Sequence, residues 1–168
     1  MVHAWLSVLL PYLGAACILI AVCAALHDVA ARTVPNSMPL LLVALGVIAR
    51  SIEGNLITGL VAAIAAFAVA TFCWSRGWMG GGDVKLLGAI TIAAPPIAVP
   101  NLVFVMGMAG GLLSLFYLSA RRIVHAPSPT RPHSIVARAL RAERWRIRRG
   151  GPLPYACAIA AGGVFVLL

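Results

Sequence analysis

The glycine-rich sequence Gly80-Gly81-Gly82-Asp83-Val84-Lys85 places a carboxylate between two apolar segments. The chain has only four carboxylate side chains in total. An ionisable side chain at membrane depth is costly, so its presence there indicates a function. A second acid, Asp28, follows another apolar segment and precedes Val34-Pro35-Asn36. These two aspartates are therefore the candidate functional residues.

The composition indicates a membrane protein. Of the 168 residues, 62% are hydrophobic and 10% are charged, and the mean hydropathy is +1.00. These values lie outside the usual range of soluble globular domains. We predict an all-α integral membrane protein whose residues 1–168 form one membrane-embedded domain.

Six apolar segments predict about six transmembrane helices, since about 20 residues cross a hydrocarbon core about 30 Å thick. The segments are residues 4–26, 38–49, 56–74, 86–94, 101–120 and 152–168. The first has no basic region before it and a full span's length, which predicts a retained helix and not a cleaved signal peptide. The second is short, and Arg50 and Glu53 could extend it by reaching the far interface. The fourth is also short and is interrupted by Pro95-Pro96.

Small and polar residues predict how some of these helices begin and pack. Either Asn36 or Ser37 can cap the second helix, because a short polar side chain can accept a first-turn N–H. The fifth segment contains Gly107, Gly110 and Gly111, which predict a face for close helix packing.

Residues 121–150 are predicted to form a basic cytoplasmic loop, because they contain nine of the thirteen Lys and Arg residues. Apolar residues recur at near-helical spacing over 134–150, with Ser134 placed to cap the start and Gly150 the end. This pattern favours an amphipathic helix that lies on anionic lipid headgroups, with a solvated basic loop as the alternative. The net charge of +9 does not indicate nucleic-acid binding, because no aromatic platform or base-reading motif accompanies it.

The distribution of basic residues predicts the orientation. With six spans and an outer N-terminus, twelve of the thirteen basic residues lie on the cytoplasmic side, and only Arg50 lies outside. Asp28 and Asp83 then lie at the same, cytoplasmic, membrane level. Their helices can therefore bring the two carboxyl groups together.

Two aspartates in one low-dielectric site cannot both ionise easily, so they share a proton. Such a pair can hydrolyse a peptide, since one partner accepts a proton from water and the other polarises the carbonyl. The three glycines would let the backbone adopt unusual conformations and admit an extended substrate. The alternative is a flexible hairpin in which Asp83 only caps the fourth helix. Lys85 could act on a carboxylate or substrate, or anchor the chain at the inner leaflet.

The sequence predicts neither a metal nor another cofactor. The four cysteines include no C-x-x-C pair and lie in or beside apolar segments, where they behave as small hydrophobic residues.

These motifs resemble the two signatures of the type IV prepilin peptidases: an Asp followed by Ile-Pro-Asn, then Gly-x-Gly-Asp with a nearby Lys. Val34 replaces the usual Ile, and Pro154-Tyr155 resembles the family's C-terminal Pro-Tyr. The resemblance implies that Asp28 and Asp83 are the catalytic pair. The residues predicted to position the substrate and backbone are Gly80, Gly82, Lys85, Pro35 and Asn36.

The same resemblance implies cleavage of prepilin-like precursors at the inner face of the bacterial cytoplasmic membrane. Such precursors carry a short basic leader that ends in Gly, followed by an apolar helix. Longer family members carry a cytoplasmic insertion with four cysteines and methylate the new N-terminus. This chain lacks that insertion, so it resembles the short form of tight-adherence (Flp-type) pilus systems.

Two other classes of function stay open. Paired aspartates also relay protons in coupled transporters, although the chain shows no convincing internal repeat and its acids lie toward one face. A non-catalytic subunit of a pilus or secretion assembly is the third class. Loss of either carboxylate would abolish peptide cleavage but leave a scaffold largely working.

Overall fold

A computed structural model describes residues 8–124, 134–151 and 153–168. These residues form an all-helical bundle, as predicted. The helices are α1 (Leu10–Ala31), α2 (Ser37–Ile52), α3 (Leu56–Ser75), α4 (Gly81–Ala93), α5 (Val99–Ile123), α6 (Ile135–Arg149) and α7 (Tyr155–Leu167), with a 3₁₀ turn at Pro96–Ala98. Parts of three predicted features lie outside the described residues, namely 4–7 of the first span, 125–133 of the basic loop and 152 of the last span.

Within the described part of the chain, three helical segments are long and apolar enough to cross a membrane, by length and composition. They are Leu10–Ala31, Leu56–Ser75 and Pro96–Ile123. Two shorter apolar helices are Ser37–Ile52 and Tyr155–Leu167. The prediction of a helical membrane protein is confirmed, while the number of spans stays a prediction.

Helix α4 lies at the centre of the bundle. Val84 and every residue from 86 to 93 are buried, and the helix packs against α2, α3, α7 and α1. A helix that is apolar on all sides is expected to be buried. Helix α4 is therefore surrounded by other helices, which explains why it can be shorter than a full transmembrane span. Pro95 follows its end and cannot continue the helix.

Glycines allow the closest contacts in this bundle. A Cβ added at Gly46 would lie 2.8 Å from the backbone nitrogen of Ala93, and one at Gly162 would lie 2.7 Å from the carbonyl oxygen of Leu102. The predicted packing face on α5 is only partly correct. Gly110 packs against Tyr155, but a Cβ at Gly107 or Gly111 would meet nothing within 4 Å.

The Arg50 side chain is buried at the end of α2, while its predicted position at the far interface stays a prediction. The residue is 3% exposed, and its guanidinium donates two hydrogen bonds, of 2.6 and 2.9 Å, to the Glu53 carboxylate. A charged side chain in a bilayer needs a partner of opposite charge. Glu53, the C-cap residue three positions after Arg50, is that partner. The pair therefore forms an internal ion pair at the end of α2.

The amphipathic helix predicted over 134–150 is confirmed as α6. The hydroxyl of Ser134 accepts a hydrogen bond from the backbone N–H of Ala137 at 3.2 Å, and Gly150 ends the helix in the left-handed conformation with φ 68°. Leu140 and Trp145 are exposed, and the Arg149 guanidinium lies 4.2 Å from the centre of the Trp145 indole.

Candidate active site

Asp28 lies inside α1 and not beyond its end, because the helix continues to Ala31. The residue is 8% exposed. Its carboxyl group interacts with the backbone N–H of Ala156 in the first turn of α7. Unpaired N–H groups at a helix N-terminus favour a negative charge. The start of α7 therefore stabilises the Asp28 carboxylate.

The predicted C-terminal motif, Pro154-Tyr155, immediately precedes this contact. Pro154 is fully buried, and the ring of Tyr155 packs against Gly110 of α5, where a Cβ would lie 3.0 Å from the phenol. These two contacts fix where α7 begins. They therefore also fix the N–H group that faces Asp28.

Asp83 lies in the first turn of α4, three residues after the N-cap Gly80. Its carboxyl group interacts with the backbone N–H of Gly80. An acid at this position commonly reaches back to the N-cap amide. Asp83 therefore helps to start α4, as the alternative interpretation held. That role leaves the rest of the carboxyl group able to interact elsewhere.

The two aspartates are brought together at one end of the bundle. Helices α1 and α4 are in contact, and the negative charge of Asp28 acts on the Asp83 carboxyl. The cation of Arg32 acts on both carboxyl groups. The structure therefore brings these two distant stretches of sequence together, close enough for the charge of one carboxyl group to act on the other.

The segments that carry the aspartates also contact each other directly. The Lys85 ammonium donates a hydrogen bond of 3.0 Å to the Asn36 side-chain oxygen. Asn36 therefore does not cap α2, for which no side-chain cap bond forms. A Cβ added at Gly82 would lie 3.3 Å from the Cβ of Val34. The backbone of α4 thus approaches the 34–36 segment closely, with Pro35 holding the turn between them.

The three glycines were expected to adopt backbone conformations that are closed to other residues, and this expectation is wrong. Gly80 is extended, with φ −75° and ψ 148°, and Gly81 and Gly82 are helical. None of these conformations is closed to other residues. What the positions require is space, because a side chain at Gly80 would lie 3.0 Å from the Asp83 carboxylate. Left-handed glycine occurs nearby at Gly77, which ends α3.

A polar network behind Asp28 was not predicted. Glu143 of α6 accepts hydrogen bonds from Arg32 and from the Tyr117 hydroxyl, and its other oxygen lies 3.1 Å from Arg146. Arg146 also donates a 3.0 Å bond to the carbonyl oxygen of Val29. Of the two arginines that pair with Glu143, Arg146 is on the same helix, whereas Arg32 is 111 positions away, at the end of α1.

Arg32 itself has an uncommon backbone conformation. It ends α1 in the left-handed region, with φ 56°, where residues other than glycine are rare. Its N–H donates to the carbonyl oxygen of Asp28 at 2.8 Å. The ion pair with Glu143 holds its side chain. Helix α1 is therefore stopped one turn after Asp28, with a cation beside the aspartates.

Among residues 8–124, 134–151 and 153–168, no group of three or more His, Cys, Asp or Glu side chains is placed to hold a metal ion. The absence of a metal and of other cofactors stays a prediction.

Comparison with protein-family models gave one assignment that agrees with this geometry. The model described as the type IV leader peptidase family matches residues 15–115. The matched region is more than half of the chain and contains both aspartates and both motifs around them. Comparisons with curated proteins and with solved structures produced no match.

Proposed function

The chain belongs to the type IV leader peptidase family, and from this membership we propose that it is an aspartic endopeptidase whose catalytic pair is Asp28 and Asp83. Membership identifies a membrane peptidase of prepilin-like precursors. The observation that supports the specific proposal is the pairing of the two aspartates at one end of the bundle.

The proposed reaction uses a water molecule between the two carboxyl groups. The ionised aspartate accepts a proton from the water, whose oxygen attacks the scissile carbonyl carbon. The protonated aspartate donates a hydrogen bond to the carbonyl oxygen, on which negative charge develops. Collapse of the tetrahedral intermediate breaks the C–N bond, and the leaving amine takes the proton that the first aspartate accepted from the water, which restores that carboxylate. Because the two carboxyl groups titrate as a unit, neither the role of acid nor that of base is assigned to one aspartate alone.

The other predicted site residues fit roles in positioning. Gly80 leaves the space beside Asp83 free of a side chain. Gly82 allows α4 to approach the 34–36 segment. Pro35 restricts the turn before α2, and Lys85 and Asn36 hold each other by a hydrogen bond. We propose that these contacts keep the two aspartates at a constant separation while a precursor binds.

We further propose that the active site faces the cytoplasm of a bacterial inner membrane and acts on Flp-type precursors. The distribution of basic residues and the lack of a cysteine-containing insertion support this. Helix α6 would lie on the anionic inner leaflet, with Trp145 and Leu140 in the headgroup region. A coupled transporter is less well supported, because the aspartates are at one end of the bundle and not at its middle.

Coexpression with a Flp-type precursor tests this proposal. The mass of the product should correspond to cleavage directly after the leader glycine. The alternative outcome, an intact precursor together with proton flux into vesicles that contain the protein, would favour a transporter. An intact precursor without such flux would favour a non-catalytic subunit.

Lys85→Met and Asn36→Leu remove the same hydrogen bond from opposite sides. Each is expected to reduce the cleavage rate about fivefold, which corresponds to about 1 kcal/mol for an exposed bond to a charged group. The double variant should be no slower than either single variant, because both act on one interaction. A multiplicative loss in the double variant would show that the residues act separately.

Glu143→Gln should loosen α6. The substitution removes the carboxylate that pairs with Arg32 and Arg146, and the expected loss of stability is about 2 kcal/mol for a mostly buried network. Limited chymotrypsin digestion should cut α6, which contains Leu140 and Trp145, faster than in the wild type. Arg144→Gln, at an exposed position on the same helix, should not increase the rate of digestion. Equal rates of digestion for Glu143→Gln and the wild type would contradict a role of Glu143 in holding α6 against the other helices.

A further inference from the structure

A groove opens between α2 and α3, and α4 forms its floor. Its volume is about 440 Å³, within the range of about 300–1,000 Å³ that is common for ligand sites. The lining residues come from three helices. Those that matter most here are Asn36, Leu40, Ala63, Ile64, Lys85 and Gly88.

The walls and floor suit an apolar helix. Leu40 and Ile64 project from opposite walls and are 70% and 66% exposed. The floor contributes Gly88 and Ala89, and the ring of Phe67 packs against Gly88, so this part of the groove offers an apolar ring to an occupant. The lining is almost entirely apolar away from one end.

That end is formed by Lys85 and Asn36, which are hydrogen-bonded to each other. These two residues come from the two motifs that contain or follow the aspartates. A smaller cavity of about 190 Å³ shares Phe67 and Lys85 with the groove and extends it to Gly81. From Gly81 to Ile92 the floor is about 16 Å long, or about three helical turns.

We propose that this groove binds the apolar segment of the precursor as a helix whose N-terminal end lies beside Lys85 and Asn36. The inference rests on the proposed function, because a leader peptidase's substrate continues as an apolar helix directly after the cleaved bond. A helix satisfies its own backbone hydrogen bonds, as an occupant facing lipid must. The groove begins in the same turn of α4 as Asp83. One bound precursor can therefore occupy the groove and also reach the aspartates.

The position of Asp83 determines the path of the chain. Asp83 precedes Lys85 by two residues and so lies on nearly the opposite side of α4. The precursor must therefore cross the start of α4 in extended form to reach the aspartates. Gly81 lines the smaller cavity, and Gly80 leaves the space beside Asp83 free of a side chain, so neither residue obstructs that crossing.

Ala63→Trp tests the groove by filling it. Cleavage of the full precursor should fall by at least about tenfold. Cleavage of a short peptide with the leader and scissile bond, but no apolar helix, should be unchanged. The matched control is Ala65→Trp, which is exposed on the other side of α3 and lines neither cavity. It should leave both reactions at wild-type rates.

Photocrosslinking reports binding without relying on cleavage. A photoreactive residue at Ile64 should crosslink to the apolar segment of the precursor, whereas one at Val69, also exposed on α3, should not. Unchanged cleavage by Ala63→Trp, or a crosslink from Ile64 to lipid alone, would overturn the assignment. Failure of the wild type to cut both substrates would instead contradict the proposed peptidase. The two failures are thereby distinguished.

Discussion

Asp28→Asn and Asp83→Asn are each expected to reduce precursor cleavage by at least about 10³-fold. Asparagine has nearly the shape of aspartate but can neither accept nor donate the proton that the reaction transfers. Each residue interacts with a backbone N–H, from Ala156 and Gly80 respectively, and an amide oxygen can replace the carboxylate there. The variants should therefore fold and insert while losing activity.

The gel shift of a coexpressed precursor measures this loss, with the variants at the wild-type level in membranes. The double variant should be no less active than either single variant, because the pair acts as one unit. Processing that persists in either single variant would remove that residue from the catalytic pair. Thermal melting in detergent shows whether the inactive proteins are folded.

Gly46→Ala is expected to destabilise the bundle strongly. The new methyl group would lie 2.8 Å from the nitrogen and 2.9 Å from the Cα of Ala93. These are backbone atoms of α4, so no side chain can rotate away and one helix must shift. Overpacking of this kind costs about 1–3 kcal/mol, and the melting temperature should fall accordingly.

Gly107→Ala is the matched control, because it makes the same change in a helix where the added Cβ meets nothing within 4 Å. Alanine favours a helix over glycine by about 1 kcal/mol, so this variant should be as stable as the wild type or more so. A similar decrease for both variants would mean that the α2–α4 contact does not limit stability. Gly46→Ala should lose cleavage only in proportion to the folded fraction, because Asp83 lies at the other end of α4.

Several elements could be predicted because their causes are local. The ends of α6 follow from Ser134 and Gly150, whose capping requires only neighbouring backbone groups. The start of α3 at Leu56, after the turn at Gly54-Asn55, was also predicted correctly. One local expectation was overturned by a distant group. Asn36 or Ser37 was expected to cap α2, but no side-chain cap bond forms there, and Asn36 binds Lys85 from 49 positions away.

The sequence alone determined the membrane class, the pair of aspartates and the family, because composition and two short motifs carry that information. The groups that surround the pair depend instead on the packing of the helices. The N–H of Ala156, the Arg32–Glu143–Arg146 network and the groove beside Lys85 each join segments far apart in the chain. No local propensity specifies such contacts, since they depend on how α1, α4, α6 and α7 pack. Gly82 was expected to provide an unusual backbone conformation. In the structure it instead provides the space into which Val34 packs.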